Sequence, residues 1–243
     1  MSELVLLSIA IGVLAFLNSS IGHGGASGYL AAMAIAGLAP EYLRPAALSL
    51  NLFVSAFAFV QFSRKWKLKF KLLSFLLITS IPASYIGGNI AIKPGVFKYI
   101  LGVFLILASL KMFFRPTEKS GSLEPSIWLA MTLGGVLGFF SGLIGIGGGI
   151  ILSPIILLLG WTNVKETAII SAGFIWVNSA FALLGIYNAG DFVLHEGLSY
   201  WIPAAILGGL IGSYLGSFKF RHAQVKALLV LVLISASIKL LLF

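Results

Sequence analysis

Ser141-Gly142-Leu143-Ile144-Gly145-Ile146-Gly147-Gly148-Gly149 places five glycines in nine positions, between two apolar runs. Three consecutive glycines have no side chains to pack and weaken a helix. The stretch therefore reads as a helix break with bare backbone. Inside a bilayer, such backbone persists only where protein covers it or where it lines a polar cavity. Amides exposed beside a helix N-terminus form an anion cradle. A tight turn between two helices is the plain alternative.

A second copy tips the balance towards a site. Gly12-Val13-Leu14-Ala15-Phe16-Leu17-Asn18-Ser19-Ser20-Ile21-Gly22-His23-Gly24-Gly25-Ala26 aligns without a gap with Gly135 to Gly149, at an offset of 123 residues. Paired broken helices at equivalent positions of two repeats are the strongest sequence pointer to a transporter site.

Composition sets the class. Hydrophobic residues make up 59% of the 243 and charged residues 9%, with a mean hydropathy of +1.07. A soluble domain of this length cannot hide that much apolar surface. The apolar runs are continuous over about 20 residues, which excludes the alternation of lipid-facing barrel strands. The fold expected is an all-α integral membrane protein. The net charge of +9 lies mostly in short loops, so the positive-inside rule accounts for it and nucleic acid is not an expected partner. Without cysteine there is neither a disulfide nor a thiolate metal site. Met1-Ser2-Glu3 lacks a basic n-region, so the first segment is expected to be retained rather than cleaved as a signal peptide.

In chain order, an apolar run at 4–21 ends in Asn18-Ser19-Ser20. A short helix is expected at 26–38, a surface turn at Pro40-Glu41, and spans at 43–62, 72–92 and 96–114, with Pro45 in the first turn of its helix. The hydrophilic linker 115–125 divides an N-terminal repeat, 1–114, from a C-terminal one, 126–243. The second half repeats the pattern. A run at 126–140 enters the glycine loop, a helix at 150–160 is interrupted by Pro154, and spans follow at 164–187, 198–217 and 223–243. Gly208, Gly212 and Gly216, at four-residue spacing, predict close helix packing, and Gly87-Gly88 the same in the other half. Two further matches, Ile81-Pro82-Ala83 with Ile202-Pro203-Ala204 and Ala108-Ser109-Leu110-Lys111 with Ala236-Ser237-Ile238-Lys239, extend the repeat.

Charge then sets the symmetry. Arg64 to Lys71 carries five positive charges and no negative one, whereas the equivalent loop 188–197 holds Asp191, His195 and Glu196 and no lysine or arginine. Equivalent loops of opposite bias lie on opposite faces, so the halves are expected to be inverted repeats. Each half then has a helix pair broken by a glycine loop, either re-entrant or as short spans, plus three transmembrane helices. A re-entrant hairpin with arms of about 12 residues, roughly 18 Å each, brings its glycine loop to the bilayer centre. Residues 64–71 and the linker are expected inside, and both termini and 188–197 outside.

The site expected is an oxyanion cradle made by both loops, Gly22, His23, Gly24 and Gly25 with Gly145, Gly147, Gly148 and Gly149, at the positive ends of the short helices. Asn18, Ser19, Ser20 and Ser141 add donors. Asn51 and Asn178 either line the cavity or bond neighbouring helices. His23 is the ionisable side chain inside a loop, a candidate for coupling proton to anion movement. Arg44 reads as an interfacial snorkel, Trp176 as packing, and Glu41, Lys165 and Glu166 as loop charges. No catalytic residue, metal or cofactor is expected. Gly-x-Ser-Gly is absent, the nearest run being Phe139-Phe140-Ser141-Gly142, and the spans hold too few His, Asp or Glu for a metal. A passive channel and an intramembrane enzyme are the alternatives.

The two glycine signatures, the duplication and the length resemble the sulfite exporter TauE/SafE family of membrane permeases. The run from Gly134 to Gly149 matches it most closely, and Ala168-Ile169-Ile170-Ser171 is similar to the family's Ala-x-x-Thr-Ser segment without its threonine. The first half departs further, with His23 and Ala26 where the second has Ile146 and Gly149. The resemblance implies a site role for Ser171 and transport of a small inorganic or organosulfur anion (sulfite, thiosulfate or an organosulfonate) across a bacterial plasma membrane. The partners expected are that anion, the lipid bilayer, protons coupled through His23 and a second copy of the chain.

Overall fold

In lipid each backbone amide and carbonyl needs a partner within its own segment, so long apolar runs become helices. The computed structural model describes residues 2–93, 96, 97, 99, 100, 102, 103, 106 and 123–218, and among these the regular elements are all α-helical. They are α1 (Ser2–Ser19), α2 (Ala26–Ile35), α3 (Pro40–Lys65), α4 (Phe70–Asn89), α5 (Ile127–Ile144), α6 (Gly149–Leu158), α7 (Val164–Asn188) and α8 (Leu198–Phe218). Five of them, α3, α4, α5, α7 and α8, are long and apolar enough to cross a membrane. The span expected at 223–243, most of 96–114 and most of the linker lie outside the described residues.

Three expectations about these elements are corrected. The arms around each glycine loop are unequal, a first helix of 18 residues and a second of 10, where two arms of about 12 are expected. Helix α1 ends within the polar cluster, at Ser19, and the cluster's side chains bond the helix's own carbonyls: Asn18 Nδ2 donates to Leu14 O at 2.8 Å and Ser20 Oγ to Leu17 O at 2.7 Å. Pro40-Glu41 opens α3 instead of forming a surface turn, which places Pro45 beyond the first turn. There it forfeits one bond to a first-turn carbonyl, and Ser49 Oγ donates to Pro45 O at 2.7 Å. Helix α6 runs unbroken through position 154, again within two turns of its start.

Helices α3 and α7 form the centre. Leu48 meets Ala182 and Ile186, while Ala58 and Phe62 meet Ala168, Ile169 and Ala172. The same element of the two copies therefore runs antiparallel to itself. On one flank α1 lies along α8 in the same direction: a Cβ at Gly208, Gly212 or Gly216 would collide with the backbone of Gly12, Phe16 or Ser20 in turn. On the other, Gly134, Gly138 and Gly142 of α5 meet the backbone of Leu76, Ser80 and Ser84 of α4 in the same order. Each copy's first helix thus packs on the other copy's fourth, through small residues that let backbones touch. The smooth stripe sits on α8 in one contact and on α5 in the other. Outward-facing Leu6, Ile9, Val136, Phe140, Leu207 and Ile211 give these flanks an apolar exterior.

The connecting loops fall at opposite ends of α3. Lys69 bonds Trp161 O at 2.8 Å and pairs with Glu166 at 3.4 Å, beside the α3 C-terminus. Glu166 also completes a capping box with Asn163, so Lys165 and Glu166 belong to the first turn of α7 instead of a loop. At the other end His195 meets Tyr42 edge to face, with ring centroids 5.2 Å apart.

Candidate functional site

Helices α2 and α6 each begin on a left-handed glycine, Gly25 at φ 104° and Gly148 at φ 74°, and neither has a side-chain cap. Glycine permits this backbone and carries no oxygen to cap the first-turn amides. Beside Gly25, the Tyr29 hydroxyl donates to Gly24 O at 2.8 Å and fixes the first loop against its own short helix.

The two loops meet at one place. A Cβ on Gly24 would collide with the Asn51 amide and reach 2.9 Å from the Ile175 side chain; a Cβ on Gly147 would stand 2.7 Å from the same amide and 2.8 Å from the same isoleucine. Asn51 is fully buried, and neither its Nδ2 nor its Oδ1 has a hydrogen-bond partner. An unpaired buried amide costs about 1–3 kcal/mol per group. Here it is placed where bare backbone from both copies converges. Ser141 Oγ, buried next to Gly148, and Asn178 Oδ1 likewise lack partners.

The remaining expected residues divide around this junction. Gly22 packs on Ala168 and Gly145 on Arg44, at the outer shoulders of the two loops. Gly148 packs on Phe174 and Gly149 on Ile175. Asn178 Nδ2 donates to Phe174 O at 2.7 Å, one turn beyond the junction. Asn18 turns towards Gly28 of α2, and Ser19 and Ser20 lie against Gly212 and Gly216 of α8, so these three support the loop from behind. His23 Nε2 lies 2.9 Å from Ser153 Oγ, which lies 2.7 Å from Ser171 Oγ. Trp176 stacks on Phe59, as packing, with centroids 6.2 Å apart.

Two residues carry more than the sequence reading assigns them. Ser153, a hydroxyl in an apolar run, links His23 of one copy to Ser171 of the other. Arg44 is 8% exposed and no interfacial snorkel. Its Nη2 donates to Gly142 O at 3.0 Å, Gly88 O at 3.1 Å and Gly87 O at 3.3 Å, and its Nη1 to Ile90 O at 3.2 Å. These carbonyls end α4 and approach the end of α5, where the helix dipoles are negative. A long arginine fits there because the helix starts earlier than expected and puts position 44 inside the bundle. A cleft of about 280 Å³ opens beside it, also lined by Glu41 and Asp191.

A multi-pass helical membrane protein with a duplicated, internally facing pair of glycine loops is the class this arrangement defines. Comparison with known proteins gives the family. The sulfite exporter TauE/SafE family profile matches residues 7–240. A probable membrane transporter protein of Sinorhizobium fredii, y4hK, is 34% identical over 99% of both chains. The probable membrane transporter protein YjnA of Bacillus subtilis is 25% identical over 98% of both. No solved structure matches the chain. The chain belongs to the sulfite exporter TauE/SafE family and is a membrane transporter.

Proposed function

We propose that the protein is a secondary transporter of small sulfur-containing anions, sulfite, thiosulfate or an organosulfonate, held at the junction of the two glycine loops. The observation that carries this reading is Asn51, a buried amide without partners, touched by both loops at the uncapped starts of α2 and α6. Uncapped first-turn amides and a free carboxamide are donors for the oxygens of such an anion, and helix N-termini add positive potential. The antiparallel run of α3 and α7 supports two inverted halves that rock about a central site. His23, within the first loop, is the residue proposed to couple a proton to the anion.

Flux into proteoliposomes tests the reading with sulfite, thiosulfate and a short alkyl sulfonate as probes. A hydrogen bond to a charged group is worth about 1.5–3 kcal/mol, so Asn51→Leu is expected to lower kcat/KM for the transported anion roughly 10- to 100-fold. Saturable exchange accelerated by anion on the far side marks a carrier. Flux without counterflow means a channel, and wild-type kinetics in Asn51→Leu remove the junction from the transport path.

A further inference from the structure

The polar chain His23–Ser153–Ser171 is built once in a molecule whose backbone is built twice. At the offset of 123 residues that aligns the two loops, His23 corresponds to Ile146 and Ser153 to Leu30, and at the offset of 124 that relates α3 to α7, set by the N-caps Ala39 and Asn163, Ser171 corresponds to Ala47. Those three are buried hydrophobic residues. Apolar packing is therefore sufficient at this position of the fold, and the hydroxyls on the other side have to be explained by what they do.

Counting protons assigns their roles. Ser153 Oγ lies 2.9 Å from Gly149 O, 2.9 Å from His23 Nε2 and 2.7 Å from Ser171 Oγ. The Gly149 carbonyl only accepts, so the single Ser153 hydrogen goes to it. The Ser153 oxygen is then left to accept from both other neighbours. Ser171 donates its hydroxyl hydrogen, and the imidazole donates from Nε2. Ser153 thereby reaches its full capacity of one donor and two acceptors.

We propose that Ser153, backed by Ser171, is a positioning residue that holds His23 as the Nε2–H tautomer across the boundary between the two copies, leaving Nδ1 as the nitrogen that takes up a further proton. The orientation comes from the second repeat, through α6 and α7, while the histidine belongs to the loop of the first. Movement of one copy against the other changes the tautomer's support, which is how a proton on His23 senses the state of the bundle. This last link rests on the transport reading above; the tautomer assignment does not.

The test is ring ¹⁵N chemical shifts of histidine-labelled protein in nanodiscs at a pH where His23 is neutral, with His23→Asn identifying the signals. The wild type is expected to show Nε2–H. Losing one acceptor changes the ratio of neutral tautomers by roughly fivefold, so Ser153→Ala raises the Nδ1–H form by about that factor, Ser153→Thr restores the wild-type ratio, and Ser171→Ala leaves Nε2–H dominant. An Nδ1–H wild type overturns the assignment whatever the variants do, and so does an unchanged ratio in Ser153→Ala. No substrate is needed, so a failed flux assay leaves this result standing, and the reverse holds.

Discussion

Replacing Arg44 with methionine removes the donor that joins three helices while keeping much of the side chain's volume. The guanidinium reaches four carbonyls, at 3.0, 3.1, 3.2 and 3.3 Å. Three of them compete for the two hydrogens on Nη2, so the fork makes about three full bonds. Each is charge-assisted, worth about 1.5–3 kcal/mol taken singly. The sum overstates the effect, because water enters through the adjoining cleft and replaces part of what is lost. Arg44→Met leaves neutral carbonyls without their donor, at about 1–3 kcal/mol for each that water does not reach, so a loss of about 3 kcal/mol is expected. Arg44→Lys keeps the charge but not the planar fork, so about half the loss is expected. Equilibrium unfolding in mixed micelles, followed by tryptophan fluorescence, measures both. A loss below about 1 kcal/mol for Arg44→Met places the side chain in an ordinary surface contact and refutes the account.

Two other predictions follow from the packing and the ends of α3. Gly142→Leu drives a side chain into the Ser84 carbonyl, and overpacking of that kind costs about 1–3 kcal/mol or more; Gly37→Leu, with nothing within 4 Å, serves as the contrast for strain at a left-handed glycine without a collision. In unfolding experiments a Gly142 variant no less stable than wild type speaks against the close α4–α5 contact. Lys67 and Glu196 lie near opposite ends of α3, a 26-residue helix of about 39 Å. Single cysteines there, in a chain with none, are expected to react with an impermeant thiol reagent from opposite sides of the membrane. Labelling of both from one side rejects the inverted arrangement.

The glycine loops were readable because backbone chemistry repeats in the sequence: a run of glycines has few other uses, and finding it twice specifies a pair. Asn51 was readable because an amide in an apolar helix is expensive without a purpose. Arg44 is not legible from its neighbours. Pro40 and Glu41 look like a turn, and a turn there puts position 44 at an interface; as the first residues of α3 they put it inside, opposite carbonyls contributed from positions 87, 88, 90 and 142. No local pattern reveals that meeting. Ser153 is hidden for another reason. A lone serine in an apolar helix ordinarily bonds the carbonyl four residues back, and Ser153 does so with Gly149. The signal that separates it is comparative: extending the alignment of the two loops by a few residues sets Ser153 against Leu30.

That comparison bears on which way the molecule is poised. Arg44 of the first copy corresponds to Ala168 of the second, because the equivalent loop glycines Gly145 and Gly22 pack on them in turn. At one end of α3 the arginine reaches across to α4 and α5 and holds the shoulder of the second loop at Gly145. At the other end, the Thr167 hydroxyl bonds locally, to Asn163 O at 2.8 Å and the Thr162 hydroxyl at 2.7 Å. The neighbouring Lys165 reaches Gly216 O at 3.5 Å, the limit for a hydrogen bond. The helix framework is nearly interchangeable between the halves, yet the two ends are fastened by different side chains, with Lys69 joining Trp161 O and Glu166 at the Thr167 end. The difference resides in side chains at equivalent positions, so in the carrier proposed above substitution at Arg44 is expected to shift the balance between two openings as well as stability. A transporter made from two copies of one fold can acquire a preferred direction of access in this way, without departing from the symmetry of its backbone.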